Sequence, residues 1–478
     1  MFEPKRLHPI FIVINIGKRI KDLLFTFIAL FFIGNKGNGG WIFLLGAAAI
    51  AVTVIIVMSV FSWLRYTYRL EQGELRIEYG VFVRKKRYIP FERIQSLDIS
   101  EGLLQRMFGM VKLQIETAGG SGQDEAEAVL AAISKEEARI IQEYVAAAKQ
   151  STPRASDNLE AAIDSQTVYK ITPSQLIVLS LTSGGVGVVI SAVLAFLSQI
   201  DDLIPYGKIF RGIETWIVSN TIIVIAVMIF IGLLLAWIIA LIGTMLKYAN
   251  FTVTKTEHDL VISQGLLERR QITIPLKRIQ AIRINENIVR QLLGLGTVFV
   301  ESAGGSAKNQ EGSKVMLLPL VKMNQIAPIL EPFITDYQLN NSFTPVPERA
   351  RVRYLFRNSY WTIPIVLASL FFWKVWGLLS LILLGMVLIW AVMEYKDAGW
   401  IISGQQLSLR YRTIVRTTVH MKKNKIQSLD IRESYFQKKK NLATIEAFVK
   451  VGFGGSGGKV LDLEQNDVKK VYSWYSRK

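Results

Sequence analysis

The chain has 478 residues, of which 51% are apolar and 20% charged, and it has no cysteine. That apolar share, counted without glycine, already exceeds the range of about 45–50% for a soluble domain with glycine included, so it excludes a disordered chain and points to membrane spans. The missing cysteines exclude a disulfide scaffold and a thiolate metal site. The net charge of +18 is read first as membrane topology.

Residues 1–65 read as a transmembrane hairpin. Trp41–Leu64 carries no charge over 24 residues, which at about 1.5 Å per residue exceeds a hydrocarbon core of about 30 Å. The shorter run Leu23–Gly34 follows Lys18, Arg19, Lys21 and Asp22. It spans if those side chains snorkel, with an external turn near Asn35–Gly40. Residues 66–149 then form a first module. Leu75, Ile77 and Tyr79 alternate with polar residues, as do Val111, Leu113 and Ile115, the period of half-buried strands. Gln72-Gly73 and Tyr79-Gly80 mark turns. Ser134, with Glu137 three residues on, caps a helix over Glu136–Ala148.

The pattern repeats. A polar linker, 150–167, leads to a second hairpin, 168–247, with apolar runs Gln175–Ile200 and Trp216–Leu246 and a turn near Asp201–Gly212. A second module covers 248–337. The linker 338–350 and a third hairpin, 351–394, follow, with runs Ser359–Trp373 and Val375–Met393 and a turn at Trp373–Val375. A third module, 395–478, ends in a helix over Asn466–Tyr475. The modules share Ile94-Gln95, Ile279-Gln280 and Ile426-Gln427, and then Gly119-Gly120, Gly304-Gly305 and Gly454-Gly455. Pro90 and Pro275 precede the first two Ile-Gln pairs, where the third copy has Lys422. Ordered features at matching spacing indicate an internal repeat. Short strands closed by one helix describe a small β-barrel or curved sheet plugged at one end.

Lys5, Arg6, Arg65, Arg69, Lys247, Arg349, Arg351, Arg353, Arg357 and Lys396 crowd one side of the spans. The positive-inside rule makes that side cytoplasmic. The expected protein is a polytopic α-helical membrane protein of the plasma membrane with six spans. Its three α+β modules, each following a hairpin, and both termini lie in the cytoplasm.

The Arg-Ile-Gln-Ser-Leu block, the preceding proline, the Ala-Gly-Gly-Ser strand end and the paired spans resemble the bacterial pleckstrin-homology-like family (bPH2). The three-module arrangement resembles its YdbT-like members. The resemblance implies a split β-barrel capped by a C-terminal helix. It also implies a smaller one-module membrane protein as partner, and an association with envelope stress and resistance to membrane-active peptides.

The sequence points away from catalysis. His8, His258 and His420 stand far apart and no H-E-x-x-H pair occurs. The glycine pairs do not form a phosphate loop, since Gly457-Gly458-Lys459-Val460 lacks the hydroxyl and the first-glycine spacing, and they read as strand ends needing positive φ or close packing. Asp124, Glu125 and Glu127 fall in a solvated loop. No enzyme, cofactor or metal is expected. The basic residues are the informative ones: Arg84, Lys85, Lys86 and Arg87 in the first module, Arg269 and Arg270 in the second, and Arg416, Lys422, Lys423, Lys425, Lys438, Lys439 and Lys440 in the third, where the positive charge concentrates. They are candidate contacts to anionic inner-leaflet lipids or a partner, each lysine or arginine contributing about 1 kcal/mol near such a surface. Nucleic acid is not expected. The function read from this is a membrane-associated scaffold. The alternative is an exporter of a peptide or lipid, but no ionisable residue interrupts the four long spans to mark its path.

Overall fold

Helices with no charge over four or more turns have nowhere to bury in a chain of small β modules. A computed structural model describes residues 3–34, 40–71, 73–117, 128–150, 166–183, 221–257, 259–303, 314–339, 342–451 and 454–476. Among these residues, three helices are long and apolar enough to cross a bilayer: Gly46–Leu64, Phe230–Tyr248 and Gly377–Asp397. The helix Ile10–Gly34 packs along Gly40–Leu64. Pro173–Thr182 begins at a capping box, in which Thr172 Oγ1 accepts from the Gln175 amide (3.3 Å) and Gln175 Oε1 accepts from the Thr172 amide (2.9 Å). The short helix Thr362–Trp373 ends at Lys374, which has φ of 46°. The chain then folds back, and Ser369 and Ser380 hydroxyls meet at 2.6 Å inside the bend. The expected turn at Trp373–Val375 is therefore present. Those near Asn35–Gly40 and Asp201–Gly212 lie wholly or mostly outside the described residues.

Each module contains two antiparallel meanders. In the first, β2 (Thr67–Glu71), β3 (Glu74–Tyr79) and β4 (Lys85–Pro90) lead through one 3-10 turn to β5 (Ile94–Glu101), β6 (Met110–Thr117) and β7 (Ala128–Ser134). The helix Lys135–Gln150 closes it. In the second, β9 (Thr252–Lys255), β10 (Asp259–Gln264) and β11 (Arg269–Pro275) lead to β12 (Ile279–Glu286), β13 (Leu295–Ser302) and β14 (Lys314–Lys322). In the third, β16 (Gly399–Ser403), β17 (Gln406–Arg412) and β18 (Arg416–Lys422) lead to β19 (Ile426–Arg432), β20 (Leu442–Val451) and β21 (Gly454–Glu464), then the helix Gln465–Ser476. Period-two alternation places Leu75, Ile77, Leu113 and Ile115 in one core, Val253, Leu260, Val298 and Leu317 in another, and Leu407, Leu409, Ile445 and Val460 in a third.

One expectation is corrected. A module does not simply follow its hairpin. Its sheet begins with a strand placed before the apolar helices: β1 (Lys5–Arg6) pairs with β2, β8 (Gln166–Lys170) with β9, and β15 (Thr344–Pro345) with β16. Residues 166–167 and 344–345, expected as linker, are thus sheet. Residues 151–165 lie outside the described residues. The modules are also joined to one another through their sheets. Strand order is β7-β6-β5-β11-β10-β9-β8 in one seven-stranded sheet and β14-β13-β12-β18-β17-β16-β15 in another. The second meander of each module therefore continues into the first meander of the next. A four-stranded sheet β1-β2-β3-β4 and a three-stranded sheet β19-β20-β21 remain at the two ends. The physical reason is that an unpaired strand edge is costly to leave bare, and the repeat supplies a matching edge. Ala281 of β12 is accordingly buried in the third core rather than the second.

Candidate membrane-contact surface

Three turns sit at the ends of the apolar helices. After Gly40–Leu64, Arg65 Nη1 donates to the Val81 carbonyl (2.8 Å), which holds the turn Val81–Val83 there. After the helix Thr221–Tyr248, the amides of Leu266 and Gly265 donate to the carbonyls of Leu246 (2.9 Å) and Ala249 (2.8 Å). After Ser380–Asp397, Arg410 Nε donates to the Asp397 carbonyl (2.8 Å) and Arg412 Nε to Asp397 Oδ2 (2.5 Å). Gly80 and Gly265 open the first two turns with φ of 114° and 103°. A Cβ at either would lie 2.0 or 1.9 Å from a carbonyl oxygen across the turn, so only glycine fits.

The tips of these turns are apolar. Phe82 is 84% exposed, and Val83, Leu266, Leu267 and Ile414 are exposed beside their helix ends. A second exposed feature recurs between the first and second strands of each second meander. It is a one-turn helix, Leu103–Met107, Ile288–Leu292 and Tyr435–Lys438. Leu292 is 82% and Tyr435 78% exposed, and Leu103, Met107, Phe108, Leu293 and Phe436 are exposed too. The first two knuckles also lie near the helices. The Phe108 ring is 6.2 Å from that of His8, two residues before the first helix. Asn287 Nδ2 donates to the Thr182 carbonyl (2.6 Å) and Arg290 Nε to Thr182 Oγ1 (2.9 Å). Apolar side chains aligned with helix ends and left in water are unusual for a soluble protein and mark a contact surface.

The basic residues divide. Arg84 and Lys86 both reach Glu78 and Lys85 is exposed, while Arg87 lies 5.7 Å from the Tyr79 ring. Arg269 faces Glu101, and Arg270 pairs with Asp98 at 3.6 Å across the joint between modules one and two. Arg416 pairs with Glu286 across the joint between two and three and, at 3.4 Å, with Asp397 at the end of its own module's apolar helix. Lys422 meets Asp336 (3.1 Å), Lys423 stands over Trp474 and Lys425 donates to the Lys277 carbonyl (3.1 Å). Lys438, Lys439 and Lys440 are exposed directly after Tyr435 and Phe436. Sequence reasoning missed the apolar tips. Their signal was an apolar pair after Gly80 and Gly265, where a turn ordinarily turns polar.

The described repeat residues lie on the sheet strands. Ile94, Ile279 and Ile426 are buried at the start of β5, β12 and β19. Gln95 follows on β5, and Gln280 donates to the Arg278 carbonyl (3.1 Å). Gln427 is exposed on β19. Gly454 and Gly455 open β21, whose Ser456 and Gly457 serve the joint: Arg283 Nη2 donates to Ser456 Oγ and to the Gly457 carbonyl, each at 2.8 Å, and Arg283 also pairs with buried Glu301. Gly119, Gly120, Gly304 and Gly305 lie outside the described residues, as do His258, Asp124, Glu125 and Glu127. His420 is buried and neutral: burial lowers its pKa to about 4, and its Nδ1 lies 2.8 Å from Ser408 Oγ.

Residues 23–149, 189–332 and 362–478 match the bacterial PH domain family. The chain is 40% identical over 492 residues to UPF0699 transmembrane protein YdbT of Bacillus subtilis (strain 168), covering 100% of this chain and 99% of that one. No solved structure matches.

Proposed function

The chain belongs to the bacterial PH domain family and is a membrane protein with three such domains, and on that premise we propose that it is a non-enzymatic scaffold spread on the cytoplasmic leaflet of the plasma membrane. Six spans hold it there, with the domains and both termini in the cytoplasm. The apolar turn tips and knuckles enter the headgroup level, as amphipathic interfacial segments do. Lys438, Lys439 and Lys440 sit among anionic headgroups, contributing about 1 kcal/mol each. The scaffold holds a smaller one-domain membrane protein as partner and protects the envelope against membrane-active peptides.

One observation carries this reading. In all three domains an apolar turn lies beside the end of an apolar helix: the first two turns are hydrogen-bonded there, as Leu266 is to Leu246, and the strand that leads into the third is tied to Asp397 through Arg410 and Arg412. Because the chain has no cysteine, a single Phe436→Cys variant takes a fluorophore at one place. In vesicles of anionic lipid, brominated acyl chains should quench that probe and leave one at Tyr472→Cys unquenched. A probe at 436 that stays fully in water contradicts the surface. Survival of a deletion strain against membrane-active peptides tests the protective role, and unchanged survival counts against it.

A further inference from the structure

Both joints between domains are built on the same strand positions. Arg269 opens β11 opposite Glu101 at the end of β5, and Arg416 opens β18 opposite Glu286 at the end of β12. The repeat places Arg84, just before β4, with Arg269 and Arg416. It places Glu433, just after β19, with Glu101 and Glu286. Yet among the described residues β4 pairs only with β3, and β19 only with β20. The array therefore ends in two open edges that are the two halves of one joint.

The residues on those edges are exposed where their counterparts are covered. Ile431 of β19 is 39% exposed, against 3% for Ile284 at the same position of β12. Tyr88 of β4 is exposed, while His420 of β18 is buried. Charge is complementary too. Arg270 pairs with Asp98 in the first joint, and the corresponding residues at the open edges are Lys85 and Asp430. Arg432, which would face Lys85, has its own partners in Asp430 (3.4 Å) and Glu446 (3.7 Å). The basic β4 edge discourages indiscriminate strand pairing while suiting an edge that carries Asp430 and Glu433.

We infer that the β19 edge of one chain pairs antiparallel with the β4 edge of a second copy, in the register Arg84 to Glu433, Lys86 to Ile431 and Tyr88 to Leu429. The joining surfaces differ, so the contact is head to tail and builds rings or open rows rather than a two-fold dimer. The sheet continues from chain to chain as it already continues from domain to domain.

The test uses the full-length chain in its membrane. Two differently tagged forms, Lys86→Cys and Ile431→Cys, are produced together and oxidised. The account expects a disulfide joining the two forms, and a ladder of multimers when one chain carries both cysteines. Lys86→Cys with Gln427→Cys, out of register, should give none. Glu433→Arg added to the Ile431→Cys form should lower the yield about fivefold, and Arg84→Glu added to its partner should restore it. Arg269→Cys with Glu101→Cys in one chain reports oxidation at an internal joint. An oxidised internal pair beside an unlinked 86–431 pair overturns the inference. So does equal yield from the out-of-register pair, or capture of a different protein only.

Discussion

Arg416 and Glu286 pair across the joint that turns the second and third domains into one sheet. Glu286 is buried and Arg416 half-buried, so the Glu286 carboxylate cannot trade the contact for water. Removing one partner of such a pair leaves the other charge uncompensated. Arg416→Ala should therefore destabilise the folded protein by about 3 kcal/mol, with proteolysis opening first between β12 and β18. Thermal unfolding and limited proteolysis of the purified protein check this. An unchanged transition would show that strand pairing alone holds the joint.

The two joints should respond to acid in opposite directions. His420 on β18 is held neutral by burial, with its pKa lowered to about 4 against about 6.5 in an unfolded chain. The unfolded state takes up the proton first, so stability is full above about pH 6.5 and is lost as pH falls towards 4. Asp98 on β5 has its pKa raised to about 6, by burial and then by Glu116, against about 3.9 unfolded. Here the folded state takes the proton first, so stability rises as pH falls from about 6 towards 4. Hydrogen exchange at pH 5 should show β18 loosening and β11 tightening relative to pH 7. His420→Gln should remove the first effect and leave the second.

Gly457 serves the joint between the second and third domains. A Cβ there would lie 1.8 Å from the Ala447 carbonyl oxygen, and the Gly457 carbonyl accepts from Arg283 and Tyr411. Gly457→Ala should cost about 3 kcal/mol through the forced shift of β21. Gly17→Ala, on an open helix face, should be neutral or stabilising by up to about 1 kcal/mol. Equal melting temperatures for the two variants would refute the packing argument.

Local pattern made much of the fold legible. The alternation at Leu75, Ile77 and Tyr79 is β3. Ser134 caps its helix, with its hydroxyl 3.1 Å from the Glu137 amide. The helix expected over Asn466–Tyr475 runs Gln465–Ser476. The strands β1, β8 and β15 were not legible, because two to five residues carry no periodicity and exist only through their partners. The joints were not legible either. Ile279–Glu286 and Ile426–Arg432 read alike as sequence, yet one is covered by a neighbouring strand and the other is open. The basic pattern could not separate Arg416, which faces an acid from another domain, from Lys438–Lys440, which are exposed. The apolar tips at Phe82 and Leu266 take their meaning only from the helix ends beside them.

The sheets run from domain to domain, and the proposed function puts all three domains on the cytoplasmic side of the membrane. Single cysteines at Lys85, Leu267 and Lys439, one per domain, can be tested in intact cells with a maleimide that does not cross membranes. The account predicts no labelling at any of the three until the cells are permeabilised, and then labelling at all three. Labelling of even one in intact cells would contradict it.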